Sequence, residues 1–212
     1  MDTTIQFEEP VVLKLEKLPV PEKAIIHRMG YPAGKEEIDA GVRHMLDTEI
    51  QKTSELVSAR GVVRFLKVEE RSIESLSFKN TDFIIRSRQV CKMLKASDPV
   101  ILFMVTIGKL IEDEISRLQQ QGEVTEGFIL DAVASEMADA AADKLHRDIL
   151  KKVAEINGFS ITPRYSPGYG DWPVTVQKEI LQICGGEKIG ISVNASSLMS
   201  PRKSVSAIIG FK

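Results

Sequence analysis

In VVLKLEKL, residues 11–18, apolar side chains alternate with charged ones, and a two-residue period predicts a strand with one buried face. The next stretch, PEKAIIHRMGYPAG (21–34), carries turn chemistry and reads as a short connector. Over 36–57 apolar residues fall at Ile38, Val42, Met45, Leu46, Ile50 and Val57, a helical spacing with charges on the opposite face. GVVRFLKVEE (61–70) and SIESLSFKN (72–80) read as paired strands, and residues 86–98 as a helix that ends before Pro99. VILFMVTIG (100–108) is apolar without a break, which predicts a strand in the middle of a sheet, covered on both faces. A helix over 109–121 is closed by Gly122.

The longest periodic run covers 125–157. Phe128, Ile129, Ala132, Val133, Met137, Ala140, Ala141, Leu145 and Ile149 recur at three- and four-residue steps, and Gly158 stands where a helix C-terminus takes glycine. Its middle is rich in alanine, which lets either a neighbouring element or a ligand come close. Behind Pro173, a good first-turn residue, 174–184 reads as a helix. Strands over 188–194 and 204–211 follow, joined by ASSLMSPRK, long for a hairpin loop. Strands at the start, middle and end with helices between predict one α+β domain over 1–212 with a mostly antiparallel sheet, its segment 1–34 behaving as an arm.

Composition removes several functions. The formal net charge of −2 gives no basic face for nucleic acid. No apolar stretch approaches the roughly 20 residues of a membrane span. The start, MDTTIQFEEP, is too acidic and polar for a secretory signal, so a cytoplasmic protein is expected. Cys91 and Cys184 lie too far apart for a ligand cluster and read as buried free thiols. His27, His44 and His146 share no metal-ligand spacing. GGEKIG (185–190) leads into a strand rather than a helix, so it is not a dinucleotide turn, and neither a P-loop nor a G-x-S-x-G elbow is present. The inventory reads as a binder more than as a self-contained catalyst.

One loop stands apart. RYSPGYGDWP (164–173) packs an arginine, two tyrosines, a tryptophan, two prolines and two glycines into ten residues. Such a loop is either a well-packed connection or a ligand-binding segment whose backbone shape matters as much as its side chains.

Three motifs carry a family resemblance. R-x-S-P-G-Y (164–169) resembles the R-P-A-P-G-Y signature of the activation domain of cobalamin-dependent methionine synthase. ADAAADKLH (138–146) resembles that domain's A-E-A-x-A-E-x-L-H helix, and LMSPRKSVSAIIGF (198–211) its A-M-x-P-x-x-S-V-S-G segment. The three come in the family's order and cover roughly residues 100–212.

The resemblance implies a curved antiparallel sheet with packed helices, S-adenosylmethionine as ligand, and cobalamin carried by a partner, since the family's D-x-H-x-x-G corrinoid motif is absent from these residues. It implies a stand-alone component of methionine synthase. This would support reductive remethylation of cob(II)alamin on a separate synthase core or other corrinoid protein, with an electron from a flavodoxin- or ferredoxin-type donor.

On this reading Arg164 meets the ligand's carboxylate with a bidentate fork. Asp139, matching the first acidic residue of the family helix, holds the ammonium or offsets the sulfonium. Pro167 and Gly168 stiffen and thin the loop, so that backbone groups of Tyr165, Ser166 and Gly168 reach the adenine edges. Tyr169 lies beside the ligand or the corrin edge. Met199, Pro201 and Ser204 shape the nearby sheet end.

The chain departs from the family after Tyr169, where GDWPVTVQ replaces P-A-C-P-D/E-H, and at Ala207, where the family carries glycine. Trp172 either covers the loop or serves as a docking aromatic. These departures keep open a second reading, an accessory protein that docks on a corrinoid methyltransferase without binding S-adenosylmethionine, and a third, an unrelated enzyme using the 164–171 loop.

Overall fold

The computed structural model describes residues 9–32, 34 and 37–212. Its centre is a four-stranded, wholly antiparallel sheet in the order β1 (Val11–Lys14), β2 (Arg60–Leu66), β6 (Val100–Thr106), β9 (Ser204–Gly210). Two smaller sheets stand beside it: β3 (Val68–Arg71), β4 (Ser75–Phe78) and β5 (Ile84–Arg86) form one, and β7 (Ser192–Val193) with β8 (Met199–Ser200) the other.

All seven residues of β6 are buried, as its unbroken apolar run requires. Alternation sorts its side chains onto two cores. Ile101, Phe103 and Val105 enter the core under the long helices, while Val100, Leu102 and Met104 enter the core on the opposite face. Each such side chain contributes about 1.5–3 kcal/mol when fully buried. β2 does the same with Val63 and Phe65 on one side and Val62 and Leu66 on the other.

The first face is covered by α2 (Ala40–Leu56), α4 (Leu110–Gln120) and α5 (Val124–Asp143). α5 runs on through a π-helical turn, Lys144–Leu150, into α6 (Lys151–Ile156), so the expected 125–157 helix exists with an altered register near its end. Ala132, Ala134, Ala138, Ala141 and Ala142 are all buried in the first core. Close packing of the helix uses them, and no alanine lines the candidate cleft. Phe128, expected on the apolar stripe, is instead exposed. The second face is covered by α3 (Arg88–Met93), α7 (Gln177–Cys184) and the β3–β5 sheet.

Several sequence expectations change. Residues 21–34 are not a plain connector: α1 (Glu22–Arg28) forms there and buries Ile25 and Ile26. Of the segment 1–34 expected as an arm, β1 pairs with β2 and α1 packs in the core, whereas residues 1–8 lie outside the described residues, as does Glu36 at the expected start of α2. Strand 61–70 breaks at Lys67: its first part pairs with β1 and β6, and only Val68–Arg71 pairs with β4. The strand expected over 188–194 begins inside a 3-10 turn, Gly186–Ile189, and only Ser192–Val193 is strand. Its remnant β7 pairs with β8, inside what was read as the connecting loop, because Asn194 folds ASSL into a tight turn through its side chain. Both cysteines are buried and free, and burial pushes both thiols up.

Candidate functional site

Segment 160–165 runs antiparallel along β9, the edge of the central sheet. Ser160 exchanges backbone hydrogen bonds with Lys212, Thr162 N–H donates to Gly210, and Tyr165 exchanges both bonds with Ile208. A second clamp comes from the π-helical turn, where His146 Nε2 lies 2.9 Å from the Thr162 carbonyl. A carbonyl only accepts, so this nitrogen carries the proton. The two clamps fix Arg164 beside the last turns of α5.

There Arg164 Nη2 donates to Asp139 Oδ1 at 3.0 Å, and its Nε lies 3.4 Å from Asp143 Oδ1. The guanidinium is about a quarter exposed and the two carboxylates are half-open to solvent. Asp139, Arg164, Tyr165, Ser166 and Tyr169 together line one cleft of about 280 Å³. Gly168 sits in the same loop without lining it. Its φ of +91° makes the turn, and its N–H donates to Trp172 O at 2.8 Å.

The cleft therefore gathers five of the six residues singled out from sequence, with one difference in role. Both backbone groups of Tyr165 are taken by Ile208 and the Gly168 N–H by Trp172, so they do not face a ligand. Ser166 N–H and the Gly168 carbonyl carry no hydrogen bond among the described residues.

Residues that sequence reasoning passed over hold this loop. Asp143 stands four residues after Asp139, on the same helix face, and that spacing was the available signal. Asp171 accepts from Ser87 Oγ, from Arg88 N–H at 2.7 Å and more weakly from Gln89 N–H at 3.4 Å. The Ser87 hydroxyl first, then the two amides, hold its carboxyl below the usual carboxylate range. Tyr165 Oη donates to Gln89 Oε1 at 2.6 Å, and a Cβ at Gly170 would collide with both groups. Trp172 is buried against Tyr165, ring centroids 6.4 Å apart, so it is an underpinning of the loop and not a docking aromatic. GDW, where the chain departs from the family pattern, is thus the loop's anchor on α3.

A larger cavity of about 720 Å³ lies between residues 14–20, α2 and α5, lined by Leu15, Leu18, Ile50, Val57, Val133 and Met137 among others. The solvent-exposed Lys14–Glu16 pair is part of its lining, but no buried charged side chain among the described residues is, and it is not where the chain concentrates its chemistry.

His146 supplies a pH test of the clamp. Burial holds its pKa below the ordinary imidazole value, the Thr162 hydrogen bond opposing this only in part. The folded chain then keeps His146 neutral at pH values where the unfolded chain has begun to take up a proton. Stability should fall as the pH drops below about 6.5, and stop falling for this reason once the lowered folded value is passed. Thermal melts across that range should show the slope, and His146→Gln should flatten it. A slope unchanged in the variant would assign the effect elsewhere.

The fold and cleft define an α+β domain with an open antiparallel sheet and a small charged cleft where an edge-bound loop meets the end of a helix. The sequence matches the family described as vitamin B12 dependent methionine synthase, activation domain, over residues 40–211. The chain belongs to that family. A search of curated proteins finds no match. Among solved structures, the crystal structure of the MetH reactivation domain bound to AdoHcy is similar, with a TM-score of 0.71 at 16% identity, over 96% of this chain and 79% of that one. No helix among the described residues is long and apolar enough to cross a membrane.

Proposed function

We propose that the cleft binds S-adenosylmethionine and that the chain thereby supports reductive remethylation of cobalamin carried by a methionine synthase core or another corrinoid protein. The observation that carries this reading is the Arg164–Asp139–Asp143 cluster. Arg164, Asp139 and Asp143 by themselves sum to −1, and the exposed Arg147, its Nη2 3.7 Å from Asp143 Oδ2, brings the wider cluster to zero. The ligand's carboxylate, ammonium and sulfonium sum to +1. A zwitterionic amino-acid end replaces the internal pair group for group, carboxylate on Arg164 and ammonium on Asp139, while Asp143, shared with the exposed Arg147, is the carboxylate left near the sulfonium. Ser166, which lines the cleft, offers a backbone N–H free among the described residues as a donor to an adenine edge. Tyr169, 69% exposed, forms an aromatic rim at the mouth.

When bound, the ligand supplies an activated methyl and the partner's cobalt supplies the nucleophile. The protein's own residues fix the position of the methyl donor and neutralise its charge. The similar structure's AdoHcy and the family match support this reading, and a flavodoxin- or ferredoxin-type carrier is the electron donor it calls for.

Isothermal titration of the full chain is expected to give saturable one-to-one binding of S-adenosylmethionine, tighter than that of S-adenosylhomocysteine, which lacks the sulfonium charge. No binding up to about 1 mM (roughly −4 kcal/mol), alone and with a cobalamin-loaded core, would overturn it. Arg164 already satisfied by two carboxylates favours the competing reading, a docking protein without ligand, and the same titration separates the two.

A further inference from the structure

The turn between β3 and β4 is rigid. Ser72 and Ser75 hydrogen-bond across it through backbone and hydroxyls, and Ser87 N–H donates to the Glu74 carbonyl, tying it to the start of α3. At its tip Ile73 is 82% exposed. It and Tyr169 are the two most exposed large apolar side chains among the described residues. Both flank the first turn of α3: Ile73 shares a surface hollow with Arg88, and Tyr169 sits in the loop that Asp171 and Tyr165 bind to Arg88 and Gln89 of α3.

The hollows around Ile73 are lined by Arg71, Arg86, Arg88, Lys92 and Lys95, with Glu74 the single acid. That is five positive charges against one negative, on a chain of net −2. Arg71 is spent on the Leu94 and Ser97 carbonyls, and Arg88 on Glu74. Arg86, Lys92 and Lys95 are exposed and have no ionic partner among the described residues. A pre-ordered apolar tip beside three unpaired cations has the composition of a protein-docking surface whose partner is acidic. Arg88 and Gln89 also hold the site loop, through Asp171 and Tyr165, so the patch adjoins the loop that forms the cleft.

We infer that the β3–β4 turn and α3 form a docking surface for an acidic face of the corrinoid-carrying partner, with Ile73 as apolar anchor and Arg86, Lys92 and Lys95 as the ionic contacts. This rests on the functional reading above.

The test measures affinity of the full chain for a cobalamin-loaded methionine synthase core as salt is raised, for wild type, for Arg86→Glu/Lys92→Glu/Lys95→Glu, and for Ile73→Asp. Each variant should bind the core at least about tenfold more weakly, the triple variant should lose the salt dependence, and S-adenosylmethionine titrations should be unchanged in both. A wild-type chain that binds S-adenosylmethionine and the core, with variants that bind the core equally well, overturns the docking surface and leaves the functional reading standing. A chain that binds neither overturns both. Anionic vesicles whose binding the reversals abolish, with core binding unaffected, would make the patch a membrane surface and overturn the proposal.

Discussion

Arg164→Ala is expected to weaken S-adenosylmethionine binding by roughly ten- to a hundred-fold. The lost group is a charge-assisted donor pair facing the ligand carboxylate, worth about 1.5–3 kcal/mol, and each 1.4 kcal/mol is a factor of ten. The substitution also leaves Asp139 without its cation and Asp143 with only the exposed Arg147 at 3.7 Å, so the ligand carboxylate would approach like charge. Arg164→Lys restores the charge without the planar fork and should fall between the two. Stability should scarcely move. The ion pairs are partly open to solvent, and such pairs contribute about 0–1 kcal/mol, while the loop is held by backbone pairing to β9, which the variant keeps. Titration calorimetry beside a thermal melt reads both quantities. Binding unchanged within twofold would remove Arg164 from the site. A large fall in melting temperature would make its role structural.

Gly210→Ala should be among the most destabilising single substitutions in the chain. Gly210 pairs with Val100 at the end of β9, and both its backbone groups are bonded to Thr162. A Cβ there would collide with the Oγ and Cβ of Ser97 and come within 2.8 Å of Leu94 Cδ2. Neither neighbour gives way easily. Ser97 is buried, its carbonyl and that of Leu94 are both held by Arg71, and Leu94 is fully buried. Overpacking of this kind costs about 1–3 kcal/mol and occasionally more, out of a total of about 5–15 kcal/mol for a folded domain. Since the same backbone carries segment 160–165, ligand affinity should fall together with stability, unlike in Arg164→Ala. Chemical denaturation of the two variants side by side distinguishes these outcomes. A Gly210→Ala chain as stable as wild type would mean that the turn over 94–97 yields freely.

How far the sequence carries this fold depends on how local each cause is. β6 and the α5–α6 rod could be read because their burial is written into their own residues, as a continuous apolar run and as a three- and four-residue period closed by Gly158. α1 could not. Seven residues are too few to be helical by themselves, and what holds them is burial of Ile25 and Ile26 against other elements. Ile189 and Ile191 imitate a strand's alternation, yet both serve a 3-10 turn and its exit packed under the sheet.

The site divides the same way. Arg164, Tyr165, Ser166, Gly168 and Tyr169 are contiguous and Asp139 came with a second motif. The groups that hold the loop, Ser87 and Gln89, lie 84 and 76 residues from their partners, and no spacing announces them. Asp143 was in view beside Asp139, but only the path of segment 160–165 along β9 turns it towards Arg164.

Trp172 is the chain's only tryptophan, buried directly beneath the loop whose backbone it closes. Its indole N–H meets no acceptor among the described residues, and the Tyr165 ring is its aromatic neighbour. Intrinsic fluorescence therefore reports on one place in the molecule without any label. Emission from a buried indole lies to the blue and moves to the red when water reaches it, so stopped-flow mixing can time solvent access beneath the site loop.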